Sequence, residues 1–392
     1  MLTPKDELQS RIEKLQKTMQ DNEIGGALLL QRADLFYFSG TGQNAHLLIP
    51  AKGDPVLVVK KSMTRAEQES NLERIIPFEG WDKLKSLIAE SVPKGSKIGL
   101  EADVLPANLY FRYKKILEDY ETTDISGAIR SIRAVKSNYE LGLMLEAALI
   151  SESVFNHARD VIMENMTEVE LAGQLELHAR AMGHQGAVRM RGFNQELYYG
   201  HIMSGESAAA ISFFDGPTGG QGLNPSFPQG AGTGIIKSNE PILVDFVSVL
   251  GGYMVDQTRI FSIGEPPAHL LEAYRKAVSI KKALISTGKA GIAANTLYDK
   301  AEKMAFEAGL GNHFMGYVEK VSFIGHGVGL ELDEMPVIAR GLETRLEEGM
   351  AFALEPKFIF PGEGTVGIED TFVVETGQLK QLTSFSDEMQ II

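Results

Sequence analysis

The segment Pro241–Gly264, PILVDFVSVLGGYMVDQTRIFSIG, constrains this chain more than any other. Two runs rich in β-branched and aromatic residues flank Leu250-Gly251-Gly252, the pattern of a β-hairpin. Asp245 lies in the first run and Asp256 in the second. A two-residue turn at Leu250-Gly251 sets the aspartates directly opposite each other, and one at Gly251-Gly252 makes them diagonal neighbours. In both registers the carboxylates share one face, roughly 5–8 Å apart. Amid Leu, Val, Phe and Met, such a pair repels and is costly to desolvate. A divalent cation relieves both problems. A solvated face, or Arg259 paired with one aspartate, remains open as an alternative.

Further along, FIGHGVGLELDEMP places His326 between Gly325 and Gly327, where backbone can approach a ligand closely. Glu355 sits inside the apolar run MAFALEPKFIF, and Glu369 inside VGIEDTFVVE beside Asp370. A carboxylate in a buried strand needs a partner. Several such strands together with a glycine-flanked histidine point to metal. The chain has no cysteine. Thiolate ligation and disulfides are therefore excluded, and His, Asp and Glu ligands suit Mn, Co, Fe, Zn or Mg.

With 392 residues the chain is long enough for two domains. Strand patterns at Ala27–Leu30, Phe36–Phe38, Ala45–Ile49, Val56–Val59 and Lys97–Leu100, preceded by a helical Ser10–Asn22, predict an α/β N-terminal domain. The pattern changes near Ala128–Ser137, giving domains at about 1–130 and 131–392. Ser137 with Glu140 forms a capping-box signature for a helix from Tyr139 to about Met163, and Thr167 caps a helix to about Met182. Helices are expected near 267–287 and 295–308. Strands are expected at Val321–Ile324, Met350–Phe360 and Gly367–Glu375. The Gly-rich stretch 216–234 lacks a phosphate-binding motif and reads as a mobile surface loop or active-site lid.

A formal net charge of −14 disfavours nucleic acid as a partner. No apolar run is long enough to span a bilayer, and the charged amphipathic start does not resemble a signal peptide. A cytoplasmic location away from membranes is therefore expected.

The order Asp, ten residues, Asp-x-Thr-Arg, then Gly-His-Gly-x-Gly-Leu, Glu-Pro and Ile-Glu-Asp resembles the creatinase/prolidase/aminopeptidase P family of metallopeptidases. SIRAVKSNYELGLMLEAALIS resembles that family's linker and first long helix. GGALLLQRADLFYFSG resembles its creatinase-like N-terminal domain, and MTEVELAGQLE its second long helix. The resemblance implies an α+β pita-bread fold for the C-terminal domain. It implies two divalent metal ions, Mn or Co with Zn or Fe as alternatives. Asp245 would hold one ion, His326 and Glu355 the other, and Asp256 and Glu369 would bridge them. Glu355 would also accept a proton from the attacking water. The implied function is hydrolysis of short peptides as an Xaa-Pro aminopeptidase or dipeptidase, by a homodimer. The alternatives are a hydrolase or lyase of a small non-peptide molecule, and a non-catalytic binding module.

The chain departs from that pattern at several places. Asp333 stands where a histidine is usual after the His-Gly motif, and Ser212 stands near another expected histidine. Ser322 and Gly367 replace a histidine and an arginine that prolidase-like members often carry. Groups behind the ligands set protonation and substrate orientation, so these changes bear on chemistry. His201 could supply an imidazole in their place. Asp333, Tyr198 and Tyr199 are further candidates for proton transfer or substrate contact, and Ser212 for substrate binding.

Overall fold

The computed structural model describes residues 2–392. It divides into two compact units, one ending at Arg133 and the other spanning Ala134–Ile392.

The first unit opens with α1 (Lys5–Asp21), whose Leu8, Ile12, Leu15 and Met19 recur at helical spacing and are all buried. There follow β1 (Ile24–Leu29), α2 (Arg32–Ser39), β2 (Ala45–Pro50), β3 (Val56–Val59), α3 (Met63–Glu69), β4 (Ile75–Pro77), α4 (Trp81–Ser91), β5 (Lys97–Leu100), α5 (Ala107–Ile116), β6 (Glu121–Asp124) and α6 (Ser126–Ala134). The strands form one mixed sheet in the order β4-β3-β2-β1-β5-β6. The strand expected at Phe36–Phe38 is helix instead. The Gln31 side chain accepts a hydrogen bond from the Asp34 amide at the start of α2, and Gly40 closes the helix with φ 77°. A cap at each end outweighs the β preference of three aromatic-rich residues.

In the second unit, α7 (Asn138–Val161) and α8 (Glu168–Ala181) both begin with the capping box expected of them. Next come β7 (Gly200–Ser204), the short α9 (Gly205–Ala208), β8 (Ile242–Leu250), β9 (Tyr253–Ser262), α10 (Ala268–Thr287) and α11 (Ala294–Glu307). The remainder is β10 (Phe323–Gly327), β11 (Glu334–Ala339), β12 (Ala351–Leu354), β13 (Lys357–Phe360), β14 (Gly364–Gly367), β15 (Asp370–Val374), β16 (Leu379–Gln381) and β17 (Gln390–Ile391). One sheet runs β17-β9-β8-β7 and another β11-β10-β12-β15-β16, while β13 and β14 form a separate pair.

The first of these sheets has two differently occupied faces. Val244, Phe246 and Phe261 pack with Val154, Phe155, Leu171 and Leu175 of the two capped helices. Leu243 and Ile260 pack with α10, α11 and the five-stranded sheet. Alternation along the strands puts Asp245 and Asp256 on this second face, between the layers.

Met350–Phe360 is not one strand. Pro356, which has no amide proton, separates β12 from β13, and Glu355 lies at the break. Gly367–Glu375 is broken likewise, with Glu369 between β14 and β15, where its backbone bridges Thr258. The Gly-rich stretch is anchored at both ends. Thr218, Gln229 and Ala231 are buried. Buried Glu168 accepts hydrogen bonds from the Gly232 amide at 2.8 Å and the Ser204 amide at 2.8 Å. Only residues 221–228 form a largely exposed tip.

Candidate metal centre

The hairpin turn falls at Gly251-Gly252, which adopt φ 58° and φ 90°, values open to glycine. Leu250 therefore pairs with Tyr253, Asp245 with Thr258 and Val247 with Asp256. The aspartates are the diagonal neighbours of the second register. Arg259 pairs with neither of them, since its guanidinium binds Asp370 at 2.9 Å.

Three ligand candidates meet closely. Asp256, His326 and Glu369 each offer a ligand atom within 4.8 Å of the others. His326 Nε2 lies 3.8 Å from Asp256 Oδ2, 3.7 Å from Glu369 Oε1 and 4.0 Å from Glu355 Oε1. These separations are too long for hydrogen bonds. On the other side of the ring, Nδ1 donates to the Leu332 carbonyl at 2.7 Å. That bond orients the ring so that Nε2 points toward the carboxylates, where a cation that displaced its proton would meet it, as usual for a metal-bound imidazole. Asp256 Oδ1 and Glu369 Oε1 are buried with no hydrogen-bond partner. Buried carboxylates with an orphaned oxygen each, clustered on an oriented imidazole, fit a divalent cation.

Titration reflects the crowding. Burial, then the charges of Glu369 and Asp245, push the Asp256 carboxyl well up. Burial raises Glu355 to about 7 against the opposing Lys357 charge. Burial also opposes ionisation of Glu369, yet Lys357 and His326 hold it down at about 2. Burial disfavours a charged His326, but Glu369, Glu355 and Asp256 together raise it to about 10.

Asp245 and Glu355 complete the cluster through a residue that sequence reading missed. The Lys357 ammonium, on a side chain 1% exposed, donates to Asp245 Oδ2 at 3.1 Å, Glu355 Oε2 at 2.9 Å and Glu369 Oε2 at 2.8 Å. The signal was present in MAFALEPKFIF. A lysine in an apolar run needs a partner just as a carboxylate does.

The other candidates are placed less uniformly. His201 pairs with Asp245 across β7 and β8 and is buried, with Nδ1 unpartnered. Burial depresses its pKa, with Asp245 acting in the opposite sense. The stem of the Gly-rich stretch covers it, since a Cβ at Gly230 would lie 3.5 Å from its Nδ1. Tyr199 is not brought to the carboxylates. Its ring stacks on His184 at 4.4 Å and meets Phe246 edge-on, on the helix-covered face of the sheet. Tyr198 packs against Phe227 of the Gly-rich tip. Ser212 lines a cavity of about 220 Å³ with Phe214, Tyr317 and Lys320. Asp333 accepts hydrogen bonds from the Arg191 and Gly192 amides, each at 2.7 Å, and so anchors the loop before β7.

The fold, the carboxylate–imidazole cluster and the sequence agree on one family. The chain belongs to metallopeptidase family M24, whose model matches residues 142–376, and residues 11–135 match the creatinase/prolidase N-terminal domain. It is 25% identical to an Xaa-Pro dipeptidase of Pyrococcus furiosus, across 97% of this chain and 100% of that one. It is also 25% identical to an Xaa-Pro dipeptidase of Lactobacillus delbrueckii, across 97% and 98%. Among solved structures, an Xaa-Pro dipeptidase from Bacillus anthracis superposes with a TM-score of 0.84 at 26% identity, covering 98% and 100%. The family relationship makes the chain a metal-dependent hydrolase and carries with it divalent metal ions. Among the described residues, no helix is long and apolar enough to cross a membrane.

Proposed function

We propose that this chain cleaves Xaa-Pro dipeptides or the N-terminal residue of Xaa-Pro peptides. The observation that carries the reading is the Asp256–His326–Glu369 cluster with its two unpartnered oxygens. The names of the full-length relatives support the substrate class. Mn or Co is the expected metal, with Zn or Fe as alternatives. The resemblance leads to a pair of ions on Asp245, Asp256, His326, Glu355 and Glu369. A divalent ion bound there supplies charge that polarises a scissile carbonyl and acidifies water.

The remaining work falls to side chains. Glu355 would accept a proton from the attacking water and return it to the leaving amine, the role the resemblance gives it. The Leu332 carbonyl holds His326 in the orientation that presents Nε2. The covered pocket of His201 limits water and offers an imidazole beside Asp245. We place the enzyme in the cytoplasm as a homodimer with no nucleic-acid partner. Assay of Xaa-Pro dipeptides and Xaa-Pro-Yaa tripeptides with added Mn or Co tests the reading. No turnover of either class by metal-loaded protein rejects it.

A second reading, a hydrolase or lyase of a small non-peptide molecule, draws on one specific feature. Asp333, which stands where a histidine is usual, has both oxygens bound to backbone amides. Turnover of small amides without turnover of peptides would favour this reading.

A further inference from the structure

We propose that the Lys357 ammonium permanently occupies one of the two cation positions of this carboxylate set, so that the chain carries a single divalent ion held by Asp256, His326 and Glu369. The inference rests on the metal-dependent reading above and replaces the pair of ions that the resemblance leads to with one ion and one ammonium.

Three observations converge. An ammonium has three donors and no acceptor, and the three bonds from Lys357 each end on a different carboxylate. They take one oxygen each from Asp245, Glu355 and Glu369. A second divalent ion on Asp245 and Glu369 would compete for those oxygens and press a dication against a buried ammonium.

The cluster is also divided in its satisfaction. Glu369 Oε2 accepts from Lys357 and from Thr258 Oγ1 at 2.8 Å, whereas Glu369 Oε1 has no partner. Asp256 Oδ1 is likewise unpartnered, and His326 Nε2 lies 3.7 Å from Glu369 Oε1 and 3.8 Å from the other Asp256 oxygen, Oδ2. One half of the site is therefore completed by protein, and the other half is built to receive a cation.

Finally, the lysine has a matched opposite number. Lys357 pairs with Gly367 in the β13–β14 ladder. A Cβ at Gly367 would lie 2.6 Å from Lys357 Cγ and 2.7 Å from Lys357 Cα. No side chain fits opposite the lysine as it stands, so Gly367 accommodates the lysine stem.

The proposal assigns different roles within the ligand set. Asp245 serves the ammonium, Glu369 links the ammonium to the metal, and Glu355 keeps one oxygen, Oε1, on the His326 side.

The test is metal stoichiometry. Purified full-length protein is equilibrated with excess Mn(II), freed of unbound metal and analysed for metal per chain, with electron paramagnetic resonance of the bound ion. One ion per chain with an uncoupled Mn(II) spectrum is the expected result. Two ions per chain with an exchange-coupled spectrum overturns the lysine assignment and leaves the metal-dependent reading intact. No bound ion overturns both. Lys357→Gly and Lys357→Met distinguish the role of the charge. Each is expected to bind a second ion, doubling the metal content. If either folds yet still binds only one ion, the ammonium is not what excludes the second and the proposal fails. If neither variant folds, the wild-type stoichiometry and spectrum still decide.

Discussion

Glu369 and Asp370 are adjacent in sequence and belong to two buried charge networks of opposite character. Around Asp370 everything is closed. Its Oδ1 accepts from Gln257 Nε2, Arg259 Nη2 and Thr383 Oγ1, and its Oδ2 from Lys281 Nζ at 2.6 Å. Asp387 contacts both Arg259 and Lys281, so two acids balance two bases. Around Glu369 the balance fails. Asp245, Asp256, Glu355 and Glu369 face one lysine and an imidazole, and two carboxylate oxygens have no partner. A buried network that only supports the fold saturates its hydrogen bonds and its charge. One that binds keeps anionic capacity unsatisfied, at a cost the rest of the fold must bear.

The largest expected effect breaks the open network. Asp256→Ala should lose the metal and reduce activity by about a thousandfold or more, since metal binding and charge stabilisation fail together. Glu369→Ala should lose both alike. Asp256→Ala should not greatly destabilise the metal-free protein, because it removes repulsion along with the carboxylate, whereas Glu369→Ala also takes a counter-charge from buried Lys357 and should cost stability. Metal analysis, turnover and denaturant unfolding of the same preparations check this. An active, metal-replete Asp256→Ala enzyme would overturn the site.

The mirror experiment breaks the closed network. Asp370→Ala leaves Arg259 and Lys281 buried with half their counter-charge, and should cost about 3–5 kcal/mol of stability. Denaturant midpoints measure it. An Asp370→Ala protein as stable as the wild type would remove the distinction between the two networks.

Which network a residue joins was only partly legible in the sequence. Hairpin parity placed Asp245 and Asp256 on one face but left the register open between two turns. Positive φ at both Gly251 and Gly252 settles it. Glu355 and Glu369 were recognisable as misfits in apolar runs. Their position at strand breaks was not, because Pro356 and the change of sheet partner act through tertiary pairing. Tyr199 looked like a site residue from its place near His201. It turned to the helical face because an aromatic pocket of His184 and Phe246 lies there. Lys357 was visible as a charge in an apolar run, but only the fold shows that its partners come from three separate segments.

A pair of histidines sharpens the contrast through pH. His326, surrounded by carboxylates, is raised to about 10 despite burial. His46, in the first unit, is lowered to about 3 by burial and then by Lys60, with its Nε2 bonded to Tyr113 at 2.7 Å. Its folded pKa lies below the unfolded value of 6.5, so the unfolded chain takes up the proton first as pH falls. The stabilisation is fully present above about pH 6.5 and drains away toward pH 3. At pH 5 the loss relative to pH 8 should be about 2 kcal/mol. His46→Gln should flatten that part of the stability–pH curve. An unchanged slope in the variant would assign the acid sensitivity elsewhere.

The smallest effect concerns Asp333, a candidate for proton transfer by its place in the sequence but a loop anchor by its contacts. If both oxygens are committed to the Arg191 and Gly192 amides, the residue behaves like the closed network in miniature. Asp333→Asn retains one acceptor oxygen and loses the charge on two amide bonds, a cost of about 1–2 kcal/mol in stability. The slackened loop should raise KM modestly, while kcat at saturating metal and substrate should fall less than about tenfold, short of the 10²–10⁴ that general acid–base catalysis supplies. A kcat collapse of about a hundredfold or more with unchanged stability and metal content would reverse the assignment. It would make the carboxylate a proton carrier, and bring Asp333 into the chemistry of the open network.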